Sequence, residues 1–171
     1  CVCAVPPWQL VRMGVDVDSV QGLVWRSTVA AHLFFEQEPE ELGEVCLVGE
    51  PFHWVFSKRA ADGQAYLQAL ASGAGNIVDL PEANLVELAM RAVRKAAPGL
   101  RHDCPRRAVI IRERRATFST GGAIDLFRPP ATTRWDNIVL AGDWTDTGWP
   151  ATIESAVRSG RTAARALLGR T

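Results

Sequence analysis

Asp143 stands between a short unbroken apolar run, Asn137 to Gly142, and Pro150, where a strongly patterned helix is expected to start. The unit reads as strand, loop and helix. Ligands of open α/β sheets settle beyond the carboxyl ends of strands, where the next helix presents free N–H groups and the positive end of its dipole. Gly142 to Thr152 would lie there. Pro150 lacks an N–H, but Ala151, Thr152 and Ile153 keep theirs, a cluster that suits an electron-rich carbonyl or a ring nitrogen gaining negative charge on reduction. Asp143 adds a carboxylate able to accept hydrogen bonds from sugar or ribityl hydroxyls.

Other chemistry-bearing residues have plainer explanations. Trp144 and Trp149 can cover a core edge as well as line a cleft. Glu154 complements the helix dipole and lies four residues before Arg158, a structural pairing. His32 and His53 sit among aromatics on extended segments, where a satisfied imidazole is commoner than a catalytic base. No catalytic acid or base is assigned. Cys1, Cys3, Cys46 and Cys104 form no C-x-x-C pair, and the set Cys1, Cys3, His102 and Cys104 lacks a common zinc spacing, so no metal is expected. Gly73-Ala74-Gly75 reads as a loop, because no buried strand leads through it into a helix.

Several elements must position these groups. Cys1 to Val5, stopped by Pro6-Pro7, has the pattern of a strand covered on both faces. Within Gln21 to Phe35, Val29, Ala31, Leu33 and Phe35 alternate with Ala30, His32 and Phe34, the period of a strand. A strand pair is expected over Val45 to Ser57, with Phe52, Trp54 and Phe56 on one face, where core packing is the first reading and a hydrocarbon cavity the second. Asp62-Gly63 marks a tight turn leading to a strand at Gln64 to Ser72. Asp79 is placed to cap a helix with Pro81 in its first turn and Pro98-Gly99 as its stop. Arg106 to Ser119 is a further strand, whose arginines fit an ion-paired edge better than a nucleic-acid surface. In the final helix, Ile153, Ala156, Val157, Gly160, Ala164 and Leu167 predict the buried face.

The composition sets bounds on these elements. With 171 residues, 47% of them hydrophobic and 22% charged, and no net charge, the chain has the make-up of a globular protein without a long-range field for nucleic acid. Neither a signal sequence nor an apolar run of roughly 20 residues is present, so a cytoplasmic location is expected, with peripheral membrane association left open.

The stretch N-I-V-L-A-G-D-W-T-D-T-G-W-P-A-T-I-E-S-A-V-R-S-G-R-T-A-A resembles the C-terminal FAD motif of flavin amine oxidases and phytoene or carotenoid desaturases. A-V-P-P-W at 4–8, H-L-F-F at 32–35, H-W-V-F at 53–56 and R-E-R-R-A-T-F-S at 112–119 are similar to the squalene-associated, FAD-dependent desaturase branch, which includes the hydroxysqualene dehydroxylases. The resemblance implies an α/β (mixed α+β) fold. It would comprise the C-terminal portion of an FAD/NAD(P)-binding Rossmann-like fold, plus a β-rich substrate lobe. Residues 1–7 would give a strand of the FAD lobe, 8–120 the substrate-lobe segment, and 121–171 the returning strand, loop and helix. Gly142 would let the backbone approach FAD, Asp143 would contact its ribityl or pyrophosphate region, and Gly148, Trp149, Pro150, Ala151 and Thr152 would border the isoalloxazine. The family's opening G-x-G-x-x-G has no counterpart, so an N-terminal FAD-binding segment is expected to be missing. The implied activity is hydride transfer between FAD and an apolar isoprenoid or squalene-type substrate. Amine oxidation, or a non-catalytic remnant without flavin, is the alternative.

Overall fold

The computed structural model describes residues 1–37, 39, 41–100, 103–121 and 123–169. It has two compact units, one of Cys1–Trp25 with Thr117–Thr171 and the other of Arg26–Ala116. These divisions differ from the boundaries read after Pro7 and after Thr120. The reason is packing: Leu10, Val15, Val20 and Leu23 share a core with Cys3, Phe118 and Leu140, which ties residues 8–25 to the first strand.

In the first unit β1 (Val2–Cys3) pairs in parallel with β7 (Val139–Leu140), in the register Val2↔Val139 and Cys3↔Leu140. The parallel pairing follows from two apolar runs that return to one sheet after a long excursion. The expectation of a strand covered on both faces is corrected at Val2, which is 45% exposed. This sheet contains only two strands among the described residues, so nothing covers that face. Helix α1 (Pro7–Arg12) follows the diproline, whose fixed φ suits a helix start, and buries Leu10.

Helix α3 (Ile153–Leu168) closes the first unit and departs most from expectation. Its buried residues are Ser155, Ser159 and Ala163, while Ile153 is 86% and Val157 47% exposed and Ala156, Gly160 and Ala164 are exposed too. Of the predicted face, only Leu167 packs, against Val139, Ala141 and Ala163. Hydrogen bonding explains the rotation: Ser159 Oγ accepts from Gly142 N at 2.8 Å, and Ser155 Oγ donates to the Asp143 carbonyl at 3.3 Å. Loop amides and carbonyls that would otherwise be orphaned select the serine stripe.

The second unit is a five-stranded sheet in the order β3-β4-β5-β2-β6, formed by β2 (Trp25–Phe34), β3 (Glu44–Cys46), β4 (Trp54–Arg59), β5 (Ala65–Ser72) and β6 (Arg107–Phe118). β4 and β5 form the expected hairpin: Gly63 takes φ 85° and Gln64 N donates to Asp62 Oδ1. Val29, Ala31, Leu33, Val55, Leu67 and Ala69 line one face and pack with Leu85, Ala89, Ala92 and Val93 of α2 (Glu82–Ala96). Each such large aliphatic side chain contributes about 1.5–3 kcal/mol. Asp79 is not the cap of α2. Pro81 holds that position, and the Asp79 carboxylate accepts from Arg114 at 2.7 Å.

Phe52, Trp54 and Phe56 do not share a face. Phe52 precedes β4 and is fully buried in the core, whereas Trp54 and Phe56 stack 5.8 Å apart on the sheet face opposite Val55 and remain half-exposed. The strand register puts His32 and Gln68 on that same face, and Phe34 stacks there with Tyr66 at 4.8 Å. No helix among the described residues is long and apolar enough to cross a membrane.

Candidate functional site

The segment after β7 turns at Gly142, which adopts φ 147° and donates its amide to Ser159. A Cβ there would lie 2.2 Å from Trp144 Nε1, so the residue must be glycine for the sake of its own loop. Trp144 is buried beside Leu140 and Ile124 and acts as the loop's anchor. Of the two tryptophans, it is therefore the one that covers the core.

Asp143 is half-buried. Burial lifts its carboxyl above the ordinary carboxylate range, opposed by its own N–H, by the positive charge of Arg128 and by the N–H of Trp144. Gly148 takes φ 64° and donates to Asp146 Oδ1, a turn that delivers Trp149 to the surface at 43% exposure. The guanidinium of Arg158 covers the Trp149 ring at 4.4 Å while bonding Glu154, so Glu154 has the structural partner its spacing predicts.

Pro150 does not begin the helix. Thr152 is the N-cap, its hydroxyl accepting from Ser155 N at 3.3 Å, and helical residues start at Ile153. The amides of Ala151 and Thr152 precede the helix. Ile153 and Glu154 supply the N–H groups with no acceptor inside it. A cleft of about 510 Å³ adjoins, lined by Gly148, Trp149, Pro150 and Ala151 together with Phe118, Ile124, Asp125 and Arg128. Gly142, Asp143 and Thr152 are not among its lining residues. Helix-head amides, a half-buried carboxylate and an exposed indole fit a group that carries hydroxyls and an electron-accepting ring.

Arg128 escaped the sequence reading. Its only signal there is a single arginine ahead of Pro129-Pro130. It is 6% exposed, and its guanidinium reaches the carbonyls of Asp143 and Trp149 and the hydroxyls of Thr147 and Ser155.

The satisfied imidazole of the plain reading is seen at His53. His53 bonds Pro51 and Ser72, and His32 lies 5.4 Å from Tyr66, its pKa lowered by burial. No metal-binding cluster occurs among the described residues, and Cys1, Cys3 and Cys104 are free thiols, while His102 lies outside those residues. The arginines of β6 are engaged locally: Arg112 donates to the carbonyls of Val78 and Leu80, and Arg114 pairs with Asp79.

Residues 1–168 match the family model described as flavin containing amine oxidoreductase. Among curated relatives, the hydroxysqualene dehydroxylase of Rhodopseudomonas palustris is 35% identical over 98% of this chain and 38% of its own. That of Zymomonas mobilis is 30% identical over 95% of this chain and 37% of its own. The chain thus spans about 38% of the length of the relatives it matches. A solved structure from Exiguobacterium sp., provisionally assigned as a protoporphyrinogen oxidase, superposes with a TM-score of 0.65 at 15% identity, over 99% of this chain and 40% of that one. A Pyrococcus furiosus protein gives 0.53 at 11% identity, over 98% and 40%. At those identities the structures speak for the fold.

Proposed function

Because this chain belongs to the family of flavin-containing amine oxidoreductases, whose cofactor is FAD, we propose that it supplies the flavin-facing loop and the substrate-facing sheet of a hydroxysqualene dehydroxylase-like enzyme. The observation that carries the reading is the head of α3, where two amides have no helical acceptor, Ser155 bonds the main chain of the half-buried Asp143, and the preceding Trp149, Pro150 and Ala151 line an open cleft. FAD, when bound, supplies a two-electron centre that exchanges hydride with a substrate carbon.

The protein's own residues then bind, orient and keep out water. The amides of Ile153 and Glu154 favour negative charge developing on a ring edge. Asp143 accepts hydrogen bonds from polyol hydroxyls, and Trp149 offers an indole surface at the cleft. Phe118 and Ile124 give that cleft apolar walls. The aromatic sheet face of Trp54, Phe56, Tyr66 and Phe34 offers apolar surface to an isoprenoid, squalene-type substrate, with Lys58 and Arg107 already lying over Phe56 and Phe34. Relatives that share the sequence over nearly all of this chain act, by their names, on hydroxysqualene.

A chimera tests the reading, with this chain replacing the matching portion of the Rhodopseudomonas palustris relative. The expected product is a yellow protein that consumes hydroxysqualene. A colourless chimera that folds would reject the flavin site and favour the non-catalytic alternative. A yellow one that oxidises amines and ignores hydroxysqualene would reject the substrate assignment alone.

A further inference from the structure

We propose that Arg128 is the positioning residue of the flavin-facing loop, a buried guanidinium that fixes the backbone at Asp143 and Trp149 before any flavin arrives. The inference rests on the reading of residues 142–152 as that loop. Arg128 Nη1 donates to the Trp149 carbonyl at 2.7 Å, and Nη2 donates to the Asp143 carbonyl at 3.0 Å. Nη2 also reaches Thr147 Oγ1 and Ser155 Oγ, both at 3.2 Å, so one side chain ties together the two ends of the loop, its middle and the first turn of α3.

The charge balance shows what the guanidinium is for. Its acidic partner, Asp125, bonds Nη1 at 3.1 Å but is 78% exposed, and the half-buried Asp143 carboxylate acts on the cation through its charge, so among the described residues no fully buried carboxylate pairs with it. Nε is buried without a hydrogen-bond partner, a further desolvation cost. An arginine that served packing alone would be replaceable by an apolar side chain. Here the replacement would leave the Asp143 and Trp149 carbonyls with only the longer bonds from the Ser155 hydroxyl at 3.3 Å and the Thr147 hydroxyl at 3.4 Å. Lysine does not substitute, because its donors radiate from one point and cannot span carbonyls that the planar fork reaches at the same time. The held carbonyls belong to the residue that presents the carboxylate and to the residue that presents the indole, so Arg128 sets the backbone direction from which both side chains leave.

Hydrogen exchange of the chain itself is the primary test. In Arg128→Ala and Arg128→Lys, amides of residues 143–152 should exchange about ten- to a hundredfold faster, while those of α2 keep the parent rate. Millimolar guanidinium should restore protection in Arg128→Ala and do nothing to the parent. Parent-like loop exchange in both variants would overturn the proposal, and so would equal acceleration throughout residues 1–25 and 117–169, which marks general stabilisation. If both variants unfold, Arg128→Gln is read instead, since its amide keeps a planar donor for one of the two carbonyls and leaves the Thr147 and Ser155 hydroxyls in place. Local acceleration then supports the clamp and none rejects it. Titration of the chimera with FAD, read by flavin fluorescence, separates the two levels of the argument. A weaker FAD affinity in Arg128→Lys at unchanged melting temperature supports positioning. Local loop acceleration in the variants, together with a folded chimera that takes up no FAD, leaves the clamp standing and defeats the flavin reading.

Discussion

Asp143 illustrates a residue whose burial runs against the interest of stability. Burial raises its native pKa above the unfolded value, and the N–H groups and Arg128 only partly offset this. Between the ordinary carboxylate value and the raised native one, the folded state binds more proton than the unfolded state. Stability therefore falls as pH rises through that window, and the deficit persists above it. Asp143→Asn should accordingly be more stable than the parent at neutral pH, with the advantage vanishing in acid, as thermal melts across pH would show. In a flavin-loaded protein the same change should weaken FAD by about fivefold, the worth of one hydrogen bond. A variant that is less stable at neutral pH would mean that the ionised carboxylate is well held. Gly142 offers a sharper contrast with Gly148. Gly142→Ala forces a Cβ to 2.2 Å from the Trp144 indole in a backbone region with φ 147°, and should cost about 1–3 kcal/mol in urea denaturation. Gly148→Ala meets nothing within 4 Å and should lose only the roughly 1 kcal/mol of left-handed strain.

Elements were legible wherever local period and tertiary environment agree. The alternation of β2 and the hairpin at Asp62-Gly63 were readable because a two-residue period and a turn residue are local properties. Period tells which residues share a face but not which face meets a helix, so Trp54 and Phe56 were assigned to the core although Val55 occupies it. Asp79 had the right residue type for a cap and lost that role to an arginine on a distant strand, β6, which no window of sequence contains. The same limit hid the tie between the β3–β4 connection and α2. The side chain of Glu50, 7% exposed, bonds both Arg91 at 2.9 Å and Lys95. Those bonds, led by the one to Lys95, hold its carboxyl below the usual range against the effect of burial. This stabilisation is present above the unfolded glutamate pKa and is lost as pH falls through the lower native value. Both cations are half-exposed and screened, so Glu50→Gln should cost about 1 kcal/mol at neutral pH. Chemical denaturation should show the difference closing in acid, and a gap that stays constant with pH would assign the loss to packing.

For the whole molecule, the informative feature is a helix whose apolar face is not its buried face. The sequence shows that Ile153, Ala156, Val157, Gly160 and Ala164 form a stripe at helical spacing, and the stripe is real. What it could not show is whether anything within these 171 residues covers it. The chain spans about 38% of its curated relatives' length, and the stripe lies exposed beside a two-stranded sheet whose Val2 is open as well. Arg128 and the serines of α3 were illegible for a related reason: their value lies in contacts with main-chain atoms, which carry no residue signature. The two readings of α3 rank a pair of substitutions in opposite order. If the apolar stripe were buried, Val157→Gln would remove a core side chain and Ser159→Ala would be harmless. With Ser159 buried and bonded to Gly142 N at 2.8 Å, Val157→Gln should instead change stability by no more than about 0.5 kcal/mol, as surface changes do. Ser159→Ala should cost about 1 kcal/mol or more, because it strands a part-buried amide. Urea denaturation of the two variants side by side gives the ranking, and finding Val157→Gln the more damaging would show that the helix sits on its apolar face after all.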